Sequence, residues 1–326
     1  MASTNTARQS TRSVRLADYV AIARLDHITK QVFIIPGIVL AYLISEVRSP
    51  DVVMTVLLGF VCAISIASAN YTINEYLDRD FDALHPTKSA RTAVQVGLDP
   101  RMVALQWLVL VLVGLAAAGF AGRVMFIIAC VFAAQGIVYN VRPSRSKDVP
   151  YFDVISEAIN NPLRMMIGWA MIDPYTIAPS SMLLVYWTGG GFLMTAKRLS
   201  EYRDITASHG RDLLARYRAS FAGYTAEKLI VACLIYALLS GFFLAVFLIK
   251  YRIEYVLALP VFAALFGHYM SLSLQANSVA QKPEHLFRER RLIAVVAILT
   301  MVLAFCTFVE MPWLDILLRK SVIVIA

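Results

Sequence analysis

Nine apolar stretches, each about as long as a helix needs to cross a hydrocarbon core, run through this chain between short charged loops. They fall near 30 to 47, 51 to 74, 101 to 120, 123 to 140, 152 to 172, 179 to 197, 228 to 249, 254 to 276 and 292 to 310. With 59% hydrophobic and 16% charged residues and a mean hydropathy of +0.66, the chain has too much apolar surface for a soluble domain. The expectation is an all-α polytopic membrane protein of about nine transmembrane helices in one bundle. The last apolar run, Ser321 to Ala326, is too short to span and is read as a tail.

Charge placement sets an orientation. With the N terminus in the cytoplasm, the N-terminal arm holds five Lys or Arg: Arg8, Arg12, Arg15, Arg24 and Lys30. The loops after spans two, four, six and eight hold four, three, seven and four, which brings 23 of the 30 cations to one side. Arg48, Arg123, Lys250, Arg252, Arg319 and Lys320 lie opposite, and Arg164 falls within span five. This asymmetry predicts an N-in, C-out chain, so the formal charge of +8 requires no nucleic acid. No short hydrophobic region with a small-residue cleavage site begins the chain, and a cleaved signal peptide is not expected. Cys62, Cys130, Cys233 and Cys306 all fall in apolar spans without paired spacing and read as small core residues.

Asn74, Asp78 and Asp82 stand four residues apart at the cytoplasmic end of span two, so a helix stacks them on one face as a slanted stripe. Two carboxylates one turn apart repel each other, and negative charge near hydrocarbon is costly. A divalent cation between them resolves both costs; Mg2+, with hard oxygen ligands and a tendency to share coordination with phosphate, points to a diphosphate-bearing substrate. The competing reading is a solvated helix end. Removal of either carboxylate is expected to cost little folded protein, because it relieves repulsion. Asn70 extends the stripe one turn deeper, whereas Glu75 and Asp80 point elsewhere. The helical pattern ends at His85-Pro86. The turn there returns Lys88 and Arg91 towards the acids as a phosphate clamp, although positive-inside bias also supplies such residues. His85, with no second His at ligand spacing, reads as a structural turn residue.

A second polar cluster follows span six in MTAKRLSEYRD, with Lys197, Arg198, Glu201, Tyr202, Arg203 and Asp204. It is either local ion pairing at a membrane boundary, Lys197 and Arg198 facing Glu201 and Asp204, or a second metal site with anion-binding cations. Gly189 to Gly191, just before it, favour close helix approach. A third cluster, Arg142, Arg145, Lys147 and Asp148, occupies a proline-broken loop after span four. Arg164 is intramembrane, one turn after Asn160 and Asn161, and should face the interior and a partner. Arg288, Arg290 and Arg291 near Glu289 read as headgroup anchors.

NEYLDRDFD fits the NxxxDxxxD pattern of the UbiA superfamily of intramembrane prenyltransferases, and the span count with acidic cytoplasmic loops resembles that family along nearly the whole chain. The resemblance implies an isoprenoid diphosphate bound through magnesium by two acidic motifs, one after span two and one after span six, with cytoplasmic loops capping the active site. The second motif departs from the usual DxxxD-like pair, since this chain has KRLSEYRD. HPTK, AKRxxE and KPEHLFRERRL resemble the branch containing decaprenyl-phosphate phosphoribosyltransferase, although SARTAVQVG stands where that branch has an Arg-Pro pair.

That branch implies 5-phosphoribosyl transfer from phosphoribosyl pyrophosphate to a polyprenyl phosphate; ordinary prenyl transfer from a polyprenyl diphosphate to an aromatic or other small acceptor is the alternative. An ion-coupled transporter or lipid-binding protein is the reading from another class. On this resemblance Asp78, Asp82 and Glu201 are the candidate catalytic groups, and Asn74, Asp78, Asp82, Glu201 and Asp204 the candidate Mg2+ ligands. Asn70, Asn74, Lys88, Arg91, Arg142, Lys147, Arg164, Lys197, Arg198 and Tyr202 are the candidate substrate-binding residues. Residues 1–28 are expected as a cytoplasmic arm, disordered up to about Arg15, 29–310 as one UbiA-like catalytic domain, and 311–326 as a tail. The compact chain without transit-peptide character points to a bacterial plasma membrane, with membrane lipids and an isoprenoid lipid as partners.

Overall fold

The computed structural model describes residues 13–276, 278–281 and 289–317, with side chains described as far as residue 314. Arg8, Arg12, Arg288, Arg319, Lys320 and the run from Ser321 lie outside the described residues. Those described are helical, with no β-strand among them. In chain order the α-helices are α1 (Leu16–Ile22), α2 (Ile35–Ile44), α3 (Val52–Asp82), α4 (Thr92–Gln95), α5 (Pro100–Ala121), α6 (Arg123–Asn140) and α7 (Phe152–Ala158). They continue as α8 (Asn160–Ile172), α9 (Ser180–His209), α10 (Arg211–Tyr217), α11 (Ala226–Tyr251), α12 (Leu259–Ser273) and α13 (Arg290–Phe308).

Among the described residues seven segments are long and apolar enough to cross a membrane: Leu16–Ile44, Val52–Asp82, Pro100–Ala121, Arg123–Asn140, Ala226–Tyr251, Ile253–Ser273 and Arg290–Phe308. The expected spans near 152 to 172 and 179 to 197 are not among them. The first is broken between α7 and α8 at Ile159, just ahead of Asn160-Asn161-Pro162. Its longer piece, α8, is buried almost all round from Pro162 to Ile172. The second, α9, is 30 residues long, but glycines, hydroxyl residues and a charged second half dilute its apolar content.

The described chain divides into two compact units, Met1–Ala178 with Tyr202–Thr225, and Pro179–Glu201 with Ala226–Ala326. In the first, α3 is the central helix. Asp51 caps it by accepting from Met54 N at 3.0 Å. At 31 residues it is about 46 Å long by helical rise, against about 30 Å of hydrocarbon, so its charged end extends past the apolar layer. Its buried face is built from small side chains, Gly59, Cys62, Ala63, Ala67 and Ala69 among them, which lets α5, α6 and α8 pack closely against it. The start of α2 and α8 approach backbone to backbone at two glycines. A Cβ added at Gly37 would overlap the Met165 carbonyl oxygen, and one at Gly168 the Ile34 carbonyl oxygen.

In the second unit Phe192 packs edge-on to Phe266, ring centroids 4.7 Å apart, in a core with Ala196, Cys233, Tyr269 and Leu292. Arg252 ties the turn before α12 to the end of α13 by donating to Thr307 O at 2.9 Å. Among the cysteines, Cys62, Cys233 and Cys306 are buried. Cys130 is exposed, on a face of α6 turned away from the core, which corrects its reading as a core residue.

Candidate active site

The acidic stripe lies at the charged end of α3, and each of its side chains has a defined partner. Asp78 Oδ1 accepts from Arg145 Nη2 at 2.7 Å and faces Lys147 Nζ at 2.6 Å. Asp82, buried, pairs with Arg91 Nη1 at 2.5 Å. Asn74 Nδ2 donates to Asn140 Oδ1 at 2.6 Å, and the same oxygen accepts from Lys147 Nζ at 2.7 Å. Asn70 Nδ2 donates to Phe132 O at 3.0 Å, and its Oδ1 has no hydrogen-bond partner. A Cβ at Gly136 would overlap the Asn70 amide, so only glycine leaves room for it.

The expectation that removing a carboxylate relieves repulsion is therefore corrected. Both acids are neutralised by cations, and loss of Asp78 leaves buried Lys147 without its counter-charge and buried Arg145 with Asp148 alone. Lys147 lies outside the membrane-spanning segments; burial pushes its ammonium down to about 8, against the opposing pull of Asp78.

The loop after α3 has a structural basis. His85 is buried, its Nδ1 accepting from Thr87 N at 3.2 Å and Lys88 N at 3.3 Å. Its ring meets Tyr217 edge-on with centroids 4.7 Å apart. Lys88 lies 5.2 Å over the Tyr217 ring, while Arg91 turns in to Asp82. Glu75 points away from the stripe, as expected, towards Arg24 at 3.9 Å, and Asp80 is exposed.

Further residues complete the site that spacing alone did not single out. Arg145 caps Asp78 and is braced by Asp148 at 2.8 Å. Fully buried Asp153 accepts from Tyr224 Oη at 2.5 Å and Ser220 Oγ at 3.1 Å, and Arg218 stands 3.4 Å away. Arg218 also donates to Tyr139 Oη at 2.9 Å, which donates to Glu157 at 2.8 Å. The segment Arg211 to Tyr224 is thus latched to α7 through Arg218, Ser220 and Tyr224, and meets His85 and Lys88 through Tyr217. Arg142, by contrast, is exposed beside the cis Arg142–Pro143 bond.

Of the other candidates, Arg164 is buried in the first unit with its guanidinium 5.3 Å over the Phe132 ring. Tyr202 is buried, 6.4 Å from Phe221 between ring centroids; Arg203 is exposed and Asp204 half-buried. On the preceding turns of α9, Arg198 and Glu201 are both buried and pair at 3.3 Å, and Lys197 is half-buried.

Among the described residues no group of three or more His, Cys, Asp or Glu side chains is gathered at metal-binding distance. A magnesium ion needs fewer: one or two carboxylates complete its shell with water and substrate phosphate. Asp78 and Asp82, with the Asn74 amide, are hard oxygen donors in helical register and fit that requirement. Both cations on Asp78 contact Oδ1, so Oδ2 carries neither.

The fold and the site define a helical integral-membrane protein whose long central helix ends in cation-bound carboxylates. The sequence profile of the UbiA prenyltransferase family matches residues 33–290, and the chain belongs to that family. A protoheme IX farnesyltransferase of Geobacillus kaustophilus (strain HTA426) is 29% identical over 148 residues, 42% of this chain. The match spans 45% of that relative's length, less than half of it.

Two solved structures of a UbiA homologue from Archaeoglobus fulgidus share the fold. The form bound to DMAPP and Mg2+ superposes with a TM-score of 0.65 at 18% identity, covering 90% of this chain and 100% of that one. The form bound to GPP and Mg2+ gives 0.65 at 19%, covering 87% and 99%. A digeranylgeranylglyceryl phosphate synthase structure gives 0.58 at 15%, covering 90% and 97%.

Proposed function

We propose that this chain is a magnesium-dependent intramembrane transferase that moves an isoprenoid group from its diphosphate to a small acceptor, with release of pyrophosphate. The observation that carries the reading is the set of cations held on Asp78 and Asp82, namely Arg91, Arg145 and Lys147. Their charge, gathered beside the two acids, supports binding of a diphosphate that would share a metal with them. Asp78 and Asp82, with Asn74, would hold Mg2+, which when bound neutralises charge on the diphosphate leaving group.

The chain's own residues do the rest. Arg91, Arg145, Lys147 and Lys88 bind phosphate oxygens and stabilise the charge that grows on departing pyrophosphate. Arg218, held by Asp153, places a further cation near Asp78. The acceptor forms its new bond to C1 as the C1–O bond to the diphosphate breaks; the electron pair leaves with pyrophosphate and the acceptor's proton passes to solvent. Apolar helices keep water from C1 and accommodate the isoprenoid chain. Glu201 and Asp204 on α9 are assigned as candidates for a second metal or for acceptor orientation, with Lys197, Arg198 and Tyr202 as anion ligands. The site faces the cytoplasm of a bacterial plasma membrane in this reading, within a catalytic domain over 29–310.

The second reading is transfer of 5-phosphoribosyl from phosphoribosyl pyrophosphate to a polyprenyl phosphate. It is favoured by Arg164, a buried cation beyond those on the stripe. Purified protein with magnesium separates the two readings. Pyrophosphate release with a prenyl diphosphate plus an aromatic acid supports the first, and release only with phosphoribosyl pyrophosphate plus a polyprenyl phosphate supports the second. No release with either pair overturns both.

A further inference from the structure

Two cations in the interior of the first unit have no acidic partner among the described residues. Arg164 on α8 is 6% exposed. One of its nitrogens makes a 3.4 Å hydrogen bond to Asn160 O, and its Nε has no hydrogen-bond partner. Lys30, half-buried in the 3-10 segment Leu25–Ile34, lies 5.2 Å over the Tyr71 ring. The 3-10 segment that carries Lys30, α3 with Tyr71 and α8 with Arg164 pack against one another. Polar atoms without hydrogen-bond partners flank the group on three elements: Gln31 Oε1, Asn70 Oδ1 and Asn160 Oδ1.

A buried guanidinium and a neighbouring ammonium without a carboxylate are costly inside a membrane protein. The arrangement is relieved when an anion brings the missing charge. Tyr71 precedes Asp78 by seven residues on α3, which is about 10 Å along the helix axis. The two uncompensated cations are therefore at a different depth from the carboxylate stripe. A reacting carbon held at the stripe has this group beneath it.

Building on the transferase reading above, we propose that Lys30, Tyr71 and Arg164 form an acceptor subsite that holds a carboxylate or phosphate of the molecule receiving the transferred group. The unpartnered Oδ1 atoms of Asn70 and Asn160, whose Nδ2 groups already donate to Phe132 O and Glu157 O, are acceptors for a hydroxyl of the same molecule. The subsite selects acceptors carrying a negative charge, and it leaves the donor's diphosphate to the cations at the stripe.

The test uses the full chain in detergent without magnesium, with 4-hydroxybenzoate as an aromatic carboxylate and farnesyl phosphate as an isoprenoid phosphate. One of the two binds wild type and raises its melting temperature, which also tells which anion the site takes. Arg164→Met and Lys30→Met weaken that binding by about tenfold or more, the loss of one charge-assisted contact. If Arg164→Met does not fold, Lys30→Met and Tyr71→Phe read the same subsite. Geranyl thiodiphosphate with magnesium binds wild type and variants alike. Absence of binding by either anion, unchanged affinity in the variants, or equal weakening of the thiodiphosphate overturns the subsite. Failure of the thiodiphosphate to bind wild type is a separate result that overturns the donor assignment.

Discussion

Lys147 Nζ and Asp78 Oδ1 stand 2.6 Å apart, and Arg145 reaches the same carboxylate oxygen from the other side of the loop after α6. The carboxylate at the centre of the stripe is thus gripped by two buried cations on one short segment.

The first prediction concerns pH. Burial lowers the Lys147 ammonium from 10.5 to about 8. The folded chain therefore gives up this proton near pH 8 while the unfolded chain keeps it to about 10.5, so stability rises with pH in that window. Phosphate binding moves the opposite way, because the neutral amine is a poorer anion ligand. Steady-state kinetics from pH 7 to 10 should show KM for the diphosphate donor climbing above about 8 without a falling melting temperature. Lys147→Arg, charged throughout, should flatten the climb; a level wild-type profile removes Lys147 from the donor site.

Asp78→Asn should abolish turnover and also destabilise the fold, by about 3–5 kcal/mol, because it strands the buried Lys147 cation. Thermal denaturation in detergent measures the second effect. Adding Lys147→Met to Asp78→Asn should restore part of the lost stability and none of the activity. A single variant that melts like wild type contradicts the ion-pair account.

Tyr224→Phe removes one donor from the buried Asp153 carboxylate. The expected cost is about 1.5–3 kcal/mol, the range for a hydrogen bond to a charged group. Hydrogen exchange should quicken across Arg211 to Tyr224 more than across α3. If protection there is unchanged, this contact does not hold the latch.

Gly168→Ala places a methyl group against the Ile34 carbonyl oxygen. Overpacking of this kind costs about 1–3 kcal/mol. The melting temperature should fall, whereas Gly241→Ala, at a position with open space around it, should leave it nearly unchanged.

The parts that were legible in the sequence were the local ones. Helical spacing placed Asn74, Asp78 and Asp82 on one face, and His85-Pro86 marked the turn that carries Arg91 back to Asp82. Arg198 and Glu201, three residues apart, likewise form the ion pair that their spacing offers. Arg145, Arg218, Asp153 and Tyr224 were not legible as a site. Arg218 reaches Tyr139 from 79 residues away, and topology alone accounts for a cation in such a loop. Whether Arg142 or Arg145 turns inward is decided by the backbone between them rather than by residue type. The break within 152 to 172 did leave a signal, since Pro162 after two asparagines disfavours an unbroken helix.

The glycine contacts between α2 and α8 act as a gauge for two charges. Gly168 is one turn beyond Arg164, and Ile34, whose carbonyl it meets, is one turn beyond Lys30. With only a hydrogen atom between backbone and backbone, neither segment has slack to slide or tilt against the other. The main chain thereby sets the separation of the two backbone segments that carry the guanidinium and the ammonium, so the two side chains pivot from a fixed base.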